Sequence, residues 1–181
     1  MRGWRAAAVL ALSLAGPARA AEPPPVERLL DALKAAPSAA AAEALEGEIK
    51  TLWRRSVSPA ARLLVERCEI ARVRGARDAA AADCDAAVTL EPERAEVWFQ
   101  RAALTFDNND NAGAIGDLAS VLRLQPRYFP AFDMLSRIAE RRGDFPAALE
   151  AWQHLLAVDP MTPPGQTRLR SLRERASAKP L

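Results

Sequence analysis

The sequence predicts an all-α protein built as a stack of helical hairpins, an α-solenoid, and three observations predict it. Pro92, Pro126 and Pro160 recur at an interval of 34 residues, and a fixed period of that size marks a stacked repeat array. Between these prolines the apolar residues follow helical spacing, and no alternating strand pattern of useful length interrupts them. Gly75, Asn109 and Gly143 fall at the same place in successive units, where a helix must end and the chain must turn back through positive φ.

Three units align as residues 61–94, 95–128 and 129–162. Position four is Leu64, Trp98 and Phe132; position eight is Cys68, Ala102 and Ser136; position twenty is Ala80, Ala114 and Ala148. Position twenty-four is Cys84, Leu118 and Trp152, and position twenty-seven is Ala87, Val121 and Leu155. Small residues at eight and twenty let two antiparallel helices approach, and large ones at four and twenty-four fill the space between hairpins. A proline just past the second helix ends each unit. No linker separates the units, so 59–162 is expected to behave as one cooperative body.

This column resembles the tetratricopeptide repeat, a helix–turn–helix unit of the same length and pattern. The resemblance covers residues 61–160 and implies a right-handed solenoid whose first helices line a concave peptide-binding groove. Two columns depart from the family's pattern. Position seven is Arg67 and Arg101 where Leu is usual, with only Leu135 conforming, and position eleven is Ala71, Thr105 and Ala139 where an aromatic is usual. Packing between repeats is therefore expected to be looser, with arginine stems lying along apolar surface.

Residues 1–20 read as a secretory signal peptide: Arg2 and Arg5, an apolar run over 6–15, then Ala18-Arg19-Ala20 as an A-x-A cleavage site. The expectation is an exported protein, and the family likeness points to the periplasm of a Gram-negative bacterium. The whole chain holds 25 Lys+Arg and 23 Asp+Glu; residues 1–20 carry three arginines and no acid, so 22 basic residues face 23 acidic ones after cleavage. Nothing in that balance suggests nucleic acid, and no run is long and apolar enough to span a membrane after cleavage.

Residues 21–25 form a proline-rich spacer. Residues 26–58 read as a helical hairpin, 26–36 and 37–55, with Pro37 in the first turn of the second helix. This hairpin is expected to cover the open end of the array as a degenerate repeat, since end units are atypical. Ser58-Pro59 opens the first full repeat as an N-cap with proline behind it. Residues 163–181 supply a capping helix over 166–176 and a tail, with Leu169 and Leu172 inward and Arg168, Arg170, Arg173 and Arg175 outward. That basic helix either is a solvated cap or touches an anionic membrane surface or an acidic partner.

No catalytic constellation is legible, and no cofactor or metal is expected. His154 stands alone on the outer side of a second helix. Residues 107–111 start like a calcium loop but lack the sixth-position Gly and the closing Glu, which are Ala112 and Leu118. Cys68 and Cys84 lie at equal height inside one hairpin; they either pair as a disulfide or remain two buried thiols.

Binding is suggested by a second stripe on the first helices. In the central unit Trp98, Arg101, Ala102 and Thr105 form the packing stripe, while Glu96, Phe99, Ala103 and Phe106 form another about a third of a turn away. Val65, Glu66, Glu69 and Arg72 extend it on one side, and Asp133, Met134, Arg137 and Glu140 on the other. The resemblance places a peptide groove there, with Phe99, Phe106 and Met134 as apolar anchors, unless the curl of the array or the N-terminal hairpin covers those rings. Chaperone-tail binders of this family carry a basic, Asn-rich clamp where this chain has Val65, Glu69, Gln100, Pro130 and Met134, so that activity is not expected. The expected function is capture of a peptide or protein segment in the groove; the alternative is an envelope assembly factor docking through its convex face or basic C-terminal helix.

Overall fold

The computed structural model describes residues 24–178, so the expected signal peptide and cleavage site lie outside the described residues. Nine helices and no strand occur among them: α1 (Pro25–Lys34), α2 (Ala39–Arg55), α3 (Pro59–Val73), α4 (Arg77–Leu90), α5 (Ala95–Asp107), α6 (Asn111–Leu124), α7 (Phe129–Arg141), α8 (Phe145–Val158) and α9 (Gly165–Ser177). Helices α3/α4, α5/α6 and α7/α8 are the three expected hairpins, and α9 packs on α8.

Each hairpin turns by the same device. Gly75, Asn109 and Gly143 adopt φ of 73°, 61° and 73°. The next residue in each unit, Ala76, Asp110 or Asp144, donates its N–H back to the carbonyl of Ala71, Thr105 or Ala139 at 2.9 Å. This is the pattern by which a left-handed residue satisfies the last carbonyls of a helix. Asp110 and Asp144 then cap the following helix through Gly113 N and Ala147 N. The run 107–111 is therefore accounted for by a turn, a cap and an ion pair of Asp107 with Arg72.

Small residues allow the close approach within hairpins: Ala61, Ala80, Ala102, Ala114 and Ala148 are all fully buried. The arginines at position seven are held by acids, and Arg101 also lies along apolar surface as expected, 4.8 Å from the Trp98 ring, while reaching Asp85 of the preceding repeat at 3.1 Å. Arg101 makes a two-pronged pair with Asp117 at 3.0 and 2.7 Å, and Arg67 pairs with Asp83 at 3.0 Å, each within its own hairpin. Asp117 is 5% exposed, and its hydrogen bonds to Arg101 hold that guanidinium's pKa above its usual range.

The N-terminal hairpin departs from expectation in two ways. Its second helix starts at Ala39, because Ser38 caps it by accepting from Ala41 N, so Pro37 stays outside the helix; Pro25 in turn belongs to α1 rather than to the spacer. More importantly, α1 contacts α8 and α2 contacts α5, while α2 does not stack on α3 as a preceding repeat would. The hairpin crosses to the junction of the second and third repeats because its anchor fits there. Trp53 stacks on Tyr128 at 4.0 Å and lies 5.4 Å from Phe129. Glu27 receives hydrogen bonds from Gln125 and Arg127, and Asp31 from Arg127 at 2.7 Å. Leu30, Leu33, Ile49 and Trp53 thereby join the main core with Phe106, Tyr128, Met134 and Trp152.

Candidate functional site

The inner face is built from α3, α5 and α7, and the structure divides the expected groove residues into two sets. The charged ones other than Glu96 keep some exposure. Glu66 is exposed and Glu69 half-buried, Arg72 pairs with Asp107, and Arg137 lies near Asp133 at 3.9 Å. Arg168, reaching in from α9, approaches Glu140 at 3.1 Å and Asp133 at 3.8 Å.

The apolar ones are mostly core. Phe106 is 3%, Met134 7% and Val65 5% exposed; Phe99 and Ala103 are half-buried and packed against the main core. The strip Phe99–Phe106–Met134 is therefore not an open set of anchors. Two coverings explain it. The guanidinium groups of Arg141 and Arg137 lie 3.6 and 4.9 Å from the Phe106 ring, and Arg141 also donates to the Phe106 carbonyl. At the other end Phe99 lies against Tyr128 at 5.1 Å, whose ring carries Trp53 of the hairpin.

Between these coverings sits a polar trio. Glu96, 4% exposed, accepts from Gln100 Nε2 at 2.9 Å and from Tyr128 Oη at 2.7 Å. Burial raises the Glu96 pKa, and the two hydrogen bonds and nearby Arg54 partly counter that rise. Burial also pushes the Tyr128 phenol well up, helped by the Glu96 carboxylate. A buried acid with both partners in place fixes the orientation of the rings around it.

The trio forms one wall of a cavity of about 210 Å³, bounded by Glu69, Glu96, Phe99, Gln100, Tyr128 and Pro130 of the array and by Lys50 and Arg54 of α2. Three clamp positions picked out in the sequence, Glu69, Gln100 and Pro130, thus meet here. Val65 and Met134 turn into the core instead. The cavity offers two cations, the half-buried acid Glu69, a side-chain amide and an aromatic edge. No group of three or more His, Cys, Asp or Glu side chains suited to a metal ion occurs among the described residues, and His154 lies against Phe132 on the far side, at 5.3 Å.

No family model matches the chain. A TPR repeat-containing protein of Rhizobium etli is 29% identical over 151 residues, which is 83% of this chain and 74% of that protein. The first TPR of Spaghetti (RPAP3), bound to an HSP90 peptide, superposes with a TM-score of 0.62 at 18% identity, covering 67% of this chain and 97% of its own. The Arabidopsis OM64 TPR domain gives 0.58 at 17% identity, covering 64% and 95%.

The fold is that of a tetratricopeptide-repeat array.

In this tetratricopeptide array two features of the inner face and its support were not legible from one column at a time. The cations of the cavity come from α2, which lies outside the repeats. The position-seven arginines are answered at position twenty-three, Asp83 and Asp117, while Leu135 of the third unit meets Ala151 there. Pairing those two columns across units was the signal available, since Arg–Asp, Arg–Asp and Leu–Ala change together. Cys68 and Cys84 are joined, with Cα atoms 5.4 Å apart.

Proposed function

We propose that this chain is a non-catalytic interaction module that holds a segment of another protein against its inner face, in the cavity between α2 and the first helices. The observation that carries this reading is the place of that cavity, which is lined by Glu69, Gln100 and Pro130 of the array and by Lys50 and Arg54 of α2. A fold neighbour bound to a peptide supports the same use of the fold. Lys50 and Arg54 can hold carboxylate or carbonyl oxygens of a segment, Glu69 can take a basic group, and Gln100 can read the backbone. With Phe106 and Met134 closed, the ligand is a polar, extended stretch and not one with deep apolar anchors. In this reading residues 1–20 direct export and are removed, and the protein works in the periplasm. A Cys68–Cys84 bond is in keeping with an oxidising compartment.

The test is capture of partners from periplasmic extract by crosslinking, followed by titration calorimetry on what is caught. The double change Lys50→Ala with Arg54→Ala is expected to weaken binding about tenfold or more at unchanged helix content. Equal affinity of this variant and the parent removes the cavity from the account.

A further inference from the structure

Two surfaces of the molecule are left unused by the reading above, and they complement each other. The first is on α3. Leu63, Ile70 and Val73 are 56%, 51% and 79% exposed, three of the five large hydrophobic residues exposed among the described residues. At 3.6 residues per turn they share an arc of about 80° on one side of the helix. That side is bare because the N-terminal hairpin docks where the second and third repeats meet and leaves the start of the array uncapped, where a solenoid ordinarily presents a polar face.

The second is a cleft between α6, α7 and α8. It encloses about 370 Å³ with Ile115, Leu122, Phe132 and Leu135 among its walls. Its origin is visible in the repeat column: position eleven of the third unit is Ala139, and Ala147 and Ala151 line the same hollow. Three methyl groups stand where larger side chains would close it.

We propose that the α3 stripe of one copy seats in the α6–α7–α8 cleft of a second copy, head to tail. Apolar knob and apolar hollow match in kind, and the charges around them match in sign. Arg62 and Arg74 flank the stripe, and Glu66 lies within it. On the cleft rim are Glu150 and Asp144, with Arg142 beside them. Two bases and one acid thus meet two acids and one base. Of the six side chains, only that of Asp144, which caps α8, has a hydrogen-bonded or ionic partner among the described residues. Because the two patches lie on different parts of the molecule, the contact is heterologous and leaves a free stripe and a free cleft at the ends of every chain of copies.

Sedimentation velocity on the full chain, over a wide range of concentration, tests this. The parent is expected to grow past the dimer as concentration rises. Ile70→Glu spoils the stripe and Glu150→Arg the cleft rim, and each alone is expected to weaken association about tenfold or more. Mixed together, the two variants are expected to form one-to-one dimers that grow no further, since each retains one intact half. Ala139→Tyr, which fills the cleft from within, serves as a second cleft variant should Glu150→Arg disturb the fold by circular dichroism. A parent that stays monomeric overturns the proposal, as does a mixture that remains two monomers. A dimer that survives both cleft variants but not Ile70→Glu overturns it too, placing the contact at α3 against α3.

Discussion

The first and third repeats share a backbone plan and are held together by opposite means. At positions eight and twenty-four the third repeat has Ser136 and Trp152. Trp152 is 2% exposed, donates to the Gly165 carbonyl at 3.0 Å and carries the Arg168 guanidinium 4.5 Å above its ring. Ser136 donates to the Ala148 carbonyl and accepts from Arg168. At the same two positions the first repeat has Cys68 and Cys84, joined covalently. Around that bond lies a small cluster of Ala80 and Leu104, whereas Trp152 sits in the main core with residues from the hairpin, α5, α7 and α9. The third repeat is covered by α9 on one side and by the hairpin at its edge; the first has neighbours on one side and bare apolar surface on the other. A crosslink does most where burial supplies least, because it acts on the unfolded chain and needs no neighbours.

Trp152→Ala should show the largest effect. It removes a buried ring, its hydrogen bond to Gly165 and the surface on which Arg168 lies, and the expected loss is about 4 kcal/mol, read from urea unfolding followed by circular dichroism. The damage should be global, since α8 carries both α9 and α1. Cys68→Ser with Cys84→Ser comes next. The closed loop spans a sequence separation of 16, and the chain-entropy estimate for a loop of that size is about 3 kcal/mol. Here the loss should be concentrated in α3 and α4, seen as faster hydrogen exchange there while α7 and α8 keep their protection. Uniform loss along the chain would mean that the first repeat is not the weaker partner described above.

That asymmetry explains what the sequence did and did not reveal. The period, the turn residues and the small positions each obey a local rule, so the three hairpins and α9 were legible almost to their ends. The left-handed turns at Gly75, Asn109 and Gly143 follow from the same rule. The docking of α1 and α2 was not legible, because it depends on Trp53 finding Tyr128 and Phe129 across more than seventy residues of chain, and no periodicity records such a meeting. The groove was half legible for the same reason. The stripe Glu96–Phe99–Ala103–Phe106 lies where helical spacing puts it, but its exposure was decided by Arg141, Tyr128 and the hairpin. The cations Lys50 and Arg54 were invisible as site residues until α2 was placed.

The smallest effect expected is also the one that separates hairpin docking from repeat stacking. Asp159, in the break after α8, is fully buried; its Oδ1 accepts from Met161 N at 3.2 Å, and its Oδ2 has no donor. Burial, and then the Glu46 carboxyl of α2, raise its pKa from 3.8 to about 6. Lys50 pairs with Glu46 from the next turn of α2. The sign follows from linkage: a raised folded-state pKa gives stability that is complete below 3.8 and is lost as pH rises through about 6. Relative to Asp159→Asn, the parent should therefore lose on the order of 2 kcal/mol between pH 4 and 7. The readout is the difference in urea midpoint between parent and variant at each pH, which cancels the titration of the other acids. The Trp53 fluorescence should follow the same curve, since that ring rests on the third repeat only while α2 is docked. Parallel pH profiles for parent and variant would show that burial leaves the Asp159 carboxyl at its ordinary pKa. A difference that grows with pH while Trp53 stays unchanged would assign the coupling to the α8–α9 break alone and leave the hairpin held by its aromatic anchor.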